Sequence, residues 1–264
     1  MARVLITGCS SGIGRAAAEE FTRRGHEVIA TARSLDSIAD LEVATRLQLD
    51  VTSDADVERL ADDVGPIDVL INNAGGGLHG PLELVPMSAI EAIYDTNVFG
   101  TVRTTKAFLP SMRLNGGATF IFVSSPAGRA TRPLTGIYGS TKAAVELLYE
   151  SLSFEIEDTG ARVIIFSPGA VSSGFPARRT TYETDVEPYH TISEQWLKVR
   201  TTSHASHVST PEEAAAAIAD LYESENRPFS RHTFGEEATA LVAQRAECDD
   251  DAYRDRVWAK LRGD

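Results

Sequence analysis

Residues Val4-Leu5-Ile6-Thr7-Gly8-Cys9-Ser10-Ser11-Gly12-Ile13-Gly14 decide how the rest of this 264-residue chain is read. The first three form a short apolar run of strand character, and a stretch rich in glycine and hydroxyl groups follows. Residues 13–24 then carry Ala16, Ala17, Ala18 and Phe21 in a helical pattern, with Gly25 as the stop. Strand, glycine turn and helix in that order let the backbone approach a pyrophosphate and aim a helix N-terminus at its charge. A glycine triplet alone would suit any turn. Its place between strand and helix makes it the mark of a dinucleotide site, with Gly8, Ser10, Ser11, Gly12, Ile13 and Gly14 as the loop residues.

Working outward, further strands are expected at residues 28–32, 46–49, 69–71, 119–124, 162–166 and 232–234. Helices alternate with them: one from near Ser53, two meeting around Thr96-Asn97-Val98, and a long one from Tyr138 to about Thr159. Another is opened by the capping box Thr210-Pro211-Glu212-Glu213 and runs to about Ser224, and the acidic tail from Glu236 reads as helical. The alternation predicts an α/β fold: a Rossmann-type doubly wound parallel sheet of about seven strands, flanked by helices on both faces, as one domain over 1–264. Residues 174–209 are expected to be irregular, with Pro176, Pro188 and the aromatics Phe175, Tyr182, Tyr189 and Trp196, and read as a substrate lid with a short helix near 193–200.

Composition narrows the function. With 42% hydrophobic and 24% charged residues the chain is an ordinary globular one, and no apolar stretch nears the length of a membrane span. A net charge of −13 argues against nucleic-acid partners, since phosphate binding needs a basic surface. Cys9 and Cys248 are far apart and lack metal-ligand spacing, so neither a disulfide framework nor a metal site is expected. The start at Met1-Ala2-Arg3 leaves no room for a signal peptide, and a cytoplasmic location is the expectation.

Chemistry enters at Tyr138-Gly139-Ser140-Thr141-Lys142. On a helix a spacing of four sets phenol and ammonium on one face, one turn apart. A nearby cation is expected to lower the tyrosine pKa from its free value of about 10, which makes Tyr138 a general acid/base. Tyrosine and lysine four apart are also a common surface pair, so other features must support the reading. Ser125 follows an expected strand, at the strand end where ligands bind in open α/β sheets. At the end of the second strand Ala32 stands where a ribose-binding acid would repel a 2′-phosphate, and Arg33 follows, so NADP(H) is preferred and NAD(H) is the alternative. His79 is a lone loop histidine and is given no role.

Taken together, Thr7-Gly8-x-x-x-Gly12-x-Gly14, Asn72-Asn73-Ala74-Gly75, Asn97, Ser125, Tyr138-x-x-x-Lys142 and Pro168-Gly169 resemble the short-chain dehydrogenase/reductase family in order and spacing over about residues 1–175. The resemblance implies an oxidoreductase that interconverts a ketone or aldehyde and its alcohol by hydride transfer. Tyr138 would be the proton donor, Ser125 would hydrogen-bond the substrate oxygen, and Lys142 would bind the nicotinamide ribose. The Asn97 backbone carbonyl would hold a water that relays protons. It further implies that Asp50 and Val51 contact adenine, that Asn73, Ala74 and Gly75 lie beside the cofactor, and that Pro168, Gly169, Val171 and Ser173 touch the nicotinamide and its phosphates. Ser173 stands where threonine is commoner. The helices near 102–112 and from Tyr138 would pack against another subunit, as a homodimer or homotetramer. The lid aromatics suggest an apolar or ring-containing carbonyl or alcohol substrate. Two competing readings are a non-catalytic NADP(H)-sensing regulator, whose relatives lose the tyrosine or lysine, and a sugar-nucleotide epimerase, which uses a different glycine spacing.

Overall fold

The computed structural model describes residues 1–174, 179–202 and 208–263. In chain order the first half runs β1 (Arg3–Ile6), α1 (Gly12–Arg23), β2 (Glu27–Ala32), β3 (Thr45–Gln48), α2 (Asp54–Val64), β4 (Val69–Asn72), β5 (Leu78–His79), α3 (Met87–Tyr94) and α4 (Gly100–Met112). The second half runs β6 (Thr119–Val123), α5 (Gly136–Glu155), β7 (Arg162–Pro168), β8 (Thr180–Thr181), α6 (Tyr189–Thr202), α7 (Pro211–Ser224), β9 (Phe229–Phe234), α8 (Glu236–Ala246) and α9 (Asp250–Arg262). Seven strands form one parallel sheet in the order β3-β2-β1-β4-β6-β7-β9. The order reverses between β1 and β4, and such a switch point opens a crevice at the strands' C-terminal ends.

Helices cover both faces, so the strands are buried on both sides and carry almost no alternation in polarity. Val4 and Ile6 of β1 point into one core layer with Phe21 of α1 and with Ala214 and Ile218 of α7. Leu5, between them, points into the other with Leu60 of α2, Phe108 of α4 and Val145 of α5. Alanines on both α1 and α7 keep the first layer thin. Phe120 and Phe122 fill the second layer, each fully buried and contributing roughly 1.5–3 kcal/mol.

The helix starts follow from their caps. Ser53 accepts from the Asp56 amide at 3.2 Å to begin α2. Thr210 and Glu213 exchange the two bonds of the expected capping box, at 3.1 and 2.8 Å. Asp249 accepts from the Ala252 amide at 2.8 Å, so the acidic run caps α9.

Some boundaries differ from expectation. The α5 helix ends at Glu155, and Glu157–Thr159 is a separate 3₁₀ turn closed by Gly160 at φ +75°. The two helices expected to meet around Thr96-Asn97-Val98 are joined there by a π-helical turn, Asp95–Phe99. The lid is more regular than expected. Its strand β8 pairs in parallel with β5, and α6 begins at Tyr189, earlier than residue 193. The α6 helix is anchored by Trp196, buried beneath the Arg132 guanidinium, which lies 5.3 Å from the ring centroid. Phe175 and Pro176, assigned to the lid, lie outside the described residues.

Candidate active site

The loop after β1 and the loop after β4 meet across the switch point. Thr7 Oγ1 accepts from the amides of Asn73 and Ala74 at 3.1 and 3.0 Å, and Asn73 Nδ2 donates to the carbonyls of Thr7 and Gly8 at 3.0 and 3.1 Å. Gly8 and Gly12 hold φ of +75° and +61°, which side-chain-bearing residues rarely adopt. A Cβ on Gly14 would stand 2.3 Å from Asn73 Nδ2 and 2.5 Å from the Gly8 carbonyl. The glycines therefore leave bare backbone at the N-terminus of α1, a cradle that fits a dinucleotide pyrophosphate. Across it lies Ser173, whose Cβ is 3.2 Å from where a Gly12 Cβ would be. Ser10 is exposed on the rim, with Ser11 and Ile13 partly buried behind it.

The flanks are also assembled. Arg33 is exposed at the end of β2, next to buried Ala32. Asp50 follows β3, with its carboxylate accepting from the amide and hydroxyl of Thr52 at 3.0 and 2.8 Å. Val51 is buried against Gly100, where a Cβ would meet it at 2.7 Å. The Gly169 amide donates to the Phe234 carbonyl at 2.8 Å, and Val171 bridges to Ser209, which holds the Pro168–Ser173 segment beside the crevice.

The catalytic candidates converge where β6 delivers Ser125 to the first turns of α5. The Ser125 hydroxyl stands close enough to the Tyr138 phenol to favour its ionised form. Lys142 is buried one turn further along, and its Nζ donates to the Val123 carbonyl at 2.9 Å and lies 5.1 Å from the Phe122 ring centroid. Asn97, in the π turn, accepts from the Gly76 amide at 2.8 Å and donates to the Gly76 carbonyl and Thr141 Oγ1, both at 3.0 Å. A Cβ on Gly75 would lie 3.2 Å from Asn97 Oδ1 and 3.6 Å from Lys142 Nζ, so the Asn72–Gly75 turn, Asn97 and Lys142 share one corner.

One expectation is reversed here. The lysine was expected to lower the tyrosine pKa; instead burial pushes Tyr138 up to about 12, with the Ser125 hydroxyl acting in the opposite direction. Burial also pushes Lys142 down to about 8, against a smaller opposing pull from Glu146. The reason is tertiary: the ammonium is turned to a strand carbonyl and an aromatic face, and loss of water outweighs the one-turn spacing.

Glu146 is the polar residue beside the site that was not singled out from sequence. Glu146 is buried on α5, and its Oε1 accepts from Ser124 Oγ at 2.6 Å and Ser167 Oγ at 3.2 Å. The signal was present, because Tyr138, Lys142 and Glu146 continue one face at steps of four. Asn72 is structural. Its amide donates to Tyr149 Oη at 2.8 Å and Thr105 Oγ1 at 3.1 Å and accepts from Thr104 Oγ1 at 2.6 Å, tying β4 to α4 and α5. Leu78, Val85, Ile93 and Ile137 form a separate apolar cluster, against which Tyr138 and the lid residue Tyr182 pack. His79 is buried in β5 beside it. Among the described residues no cluster of histidine, cysteine and carboxylate side chains could hold a metal, and no helix is long and apolar enough to cross a membrane.

A parallel sheet with a glycine cradle at its switch point and a Ser-Tyr-Lys constellation at the neighbouring strand ends defines an NAD(P)(H)-binding oxidoreductase. The short chain dehydrogenase family model matches residues 2–183, and the chain belongs to that family. It is 32% identical to retinol dehydrogenase 8 of Homo sapiens over 250 residues, covering 87% of this chain and 80% of that protein. It is 34% identical to human 17-beta-hydroxysteroid dehydrogenase type 1 over 234 residues, covering 80% and 71%. A short-chain dehydrogenase from Streptomyces avermitilis superposes with a TM-score of 0.81 at 31% identity, covering 99% of this chain and 97% of that one. Membership gives hydride transfer between an alcohol and its carbonyl as the reaction class.

The buried lysine generates a stability prediction. Its pKa is about 8 in the folded chain against 10.5 ordinarily, so between those values the unfolded state binds more protons. The stability this group contributes therefore rises with pH through that window, and the penalty is fully present below it. Lys142→Met should stabilise the fold at pH 7 by on the order of 1–3 kcal/mol, the lost bond to Val123 offsetting part, and the gain should shrink toward pH 10. Urea unfolding at both pH values checks this; a gain that grew with pH would contradict the assignment.

Proposed function

We propose that the chain is an NADP(H)-dependent oxidoreductase that interconverts a ketone or aldehyde and the corresponding alcohol, with Tyr138 as general acid/base. The observation that carries this reading is the approach of Ser125 to the Tyr138 phenol, with Lys142 one turn further along the same helix. The nicotinamide supplies or accepts the hydride. A carbonyl oxygen held by the Ser125 and Tyr138 hydroxyls gains negative charge as hydride arrives, and both donors strengthen as it does so. A phenol with a pKa near 12 is protonated at neutral pH, and an alkoxide is a far stronger base than phenolate, so Tyr138 gives up its proton at that moment.

Lys142 is assigned to hold the nicotinamide ribose and pass protons, and Asn97 to carry the relay to solvent. The Asn97 carbonyl accepts from Thr101 Oγ1 at 2.9 Å and is the group assigned to hold the relay water. Gly8, Ser10–Gly14, Asp50, Val51, Asn73–Gly75, Pro168, Gly169, Val171 and Ser173 are assigned to the cofactor. Arg33 is assigned to its 2′-phosphate, because a guanidinium matches phosphate geometry and Ala32 offers no competing carboxylate. The segment at about 174–209 serves as a lid on a single domain. Its Tyr182, together with Leu78 and Ile137, makes one wall of the cleft apolar, which favours a ring-containing or lipid-like substrate, as the names of the retinol and hydroxysteroid relatives also suggest. Leu147 and Phe154 on the outer face of α5 are 68% and 72% exposed, and exposed Phe99 ends the π turn just before α4; these support a homodimer or homotetramer built on α4 and α5.

Three measurements test the proposal. Tyr138→Phe should lower NADPH-linked reduction of an active apolar ketone or aldehyde by about a thousandfold or more while leaving NADPH affinity within about threefold; retained turnover refutes the role. Arg33→Asp should shift the NADP-to-NAD ratio of kcat/KM toward NAD by about tenfold or more, and an unchanged ratio removes the cofactor assignment. The pair Leu147→Lys and Phe154→Lys should yield a monomer by light scattering where the wild type is an oligomer, and an unaltered mass would place the interface elsewhere.

A further inference from the structure

Glu146 is a buried carboxylate that the mechanism above does not use, 4% exposed on the helix that carries Tyr138 and Lys142. A buried acid is retained only where partners satisfy it, and those it has chosen are telling. Its Oε1 takes hydrogen bonds from Ser124, the residue before Ser125, and from Ser167, the residue before the Pro168–Gly169 turn. Its Oε2 lies 3.4 Å from Arg231 Nε of β9, and Arg231 also donates to Glu150 Oε2 at 2.8 Å. The Ser124 amide donates to the Phe166 carbonyl at 2.7 Å, which keeps β6 and β7 in step up to that point. One carboxylate thus joins α5 to the ends of β6 and β7, which lead directly into candidate site segments, and to the middle of β9.

We infer that Glu146 is a positioning residue: it holds the ends of β6 and β7 so that Ser125 and the Pro168–Gly169 turn face Tyr138 and Lys142, and it supplies the counter-charge that keeps Lys142 an ammonium. The charged or titratable groups facing it are Lys142 on its own helix and Arg231 from β9, while β6 and β7 contribute only the hydroxyls of Ser124 and Ser167. Its charge opposes the burial that drives the Lys142 pKa down. Arg231 is shared with Glu150, so it does not cancel that charge. The inference rests on the proposed function for what the positioned groups do, but not for whether they are positioned.

The test uses the intact chain, whose lysines are Lys106, Lys142, Lys198 and Lys260, labelled with ¹³Cε-lysine. The Lys142 resonance is identified by its loss in Lys142→Arg. In Glu146→Gln the Lys142 titration midpoint should fall by about one pH unit, and kcat at pH 7.5 should fall about tenfold with the alkaline limb of the pH profile moving down in parallel. An unchanged midpoint and limb in folded Glu146→Gln overturn the inference. Should that variant not fold, the Ser124→Ala and Ser167→Ala pair keeps the charge and removes the tether. It should retain the midpoint while lowering kcat about threefold or more, and an unaltered kcat overturns the positioning role. Failure of the wild type to reduce any carbonyl in a panel would refute the functional reading instead, and the lysine titration, which needs no turnover, still decides this one.

Discussion

A lysine ammonium with 6% of its surface exposed is the constraint on which this site depends. Taking such a charge out of water costs several kcal/mol even after relaxation, so the fold around it must offset that cost or lose the charge. The offset comes from the Val123 carbonyl at 2.9 Å, the Phe122 ring face and Glu146 one turn on. Each belongs to an element whose placement is then no longer free. β6 must end where its last carbonyl meets Lys142, and α5 must lie across that end. Its second turn must also remain under the corner made by Gly75 and Asn97. The same requirement brings Ser125 to Tyr138, since one residue separates the accepting carbonyl from that serine.

The two loops at the switch point work by a different balance. Nothing charged is buried there. Asn73 and Thr7 satisfy the backbone groups that the tight approach of β1 and β4 would otherwise leave without partners. Glycine at Gly14 is required because the Asn73 amide occupies the space a side chain would need. The cradle is therefore shaped by polar satisfaction and sterics, and the catalytic corner by compensation of a charge. They meet at the Asn72–Gly75 turn, whose first residue anchors α4 and α5 and whose last touches the lysine corner.

Legibility from sequence follows the same division. Central strands buried on both faces read as unbroken apolar runs, so residues 69–71 and 119–124 were found within a residue of their bounds. β9 was found only at its end, because Phe229–Phe234 carries Arg231 and His232 at the sheet edge and has no uniform pattern. The β5–β8 pair is two residues long on each side, too short for any periodicity to show. The spacing of Tyr138 and Lys142 put both side chains on one stretch of α5, next to Ser125, but predicted the wrong direction for the phenol. Spacing fixes which face two side chains share, whereas the pKa depends on which way the ammonium turns and how much water remains, and both are set by β6. Glu146 lay on the face already under consideration; what the spacing could not supply was that Ser124 and Ser167 stood opposite it.

The C-terminal third matters to the site through the loop that joins Ser125 to Tyr138. Arg132 in that loop covers Trp196 of α6 and pairs with Glu237 of α8 at 3.2 Å, and the Thr131 carbonyl accepts from Tyr253 of α9 at 2.9 Å. The Leu134 carbonyl accepts from the Gly80 amide at 2.9 Å, which links the same loop to the β5 side of the cleft. Three helices outside the central sheet thus hold the path between Ser125 and Tyr138. Sequence change in those helices can move the apolar wall made by Ile137 and Tyr182 without disturbing the strand ends, because the strand ends are held from beneath by Lys142 and Glu146. A scaffold divided in this way keeps Ser125, Tyr138 and Lys142 in register while the apolar cluster beside them is free to diverge.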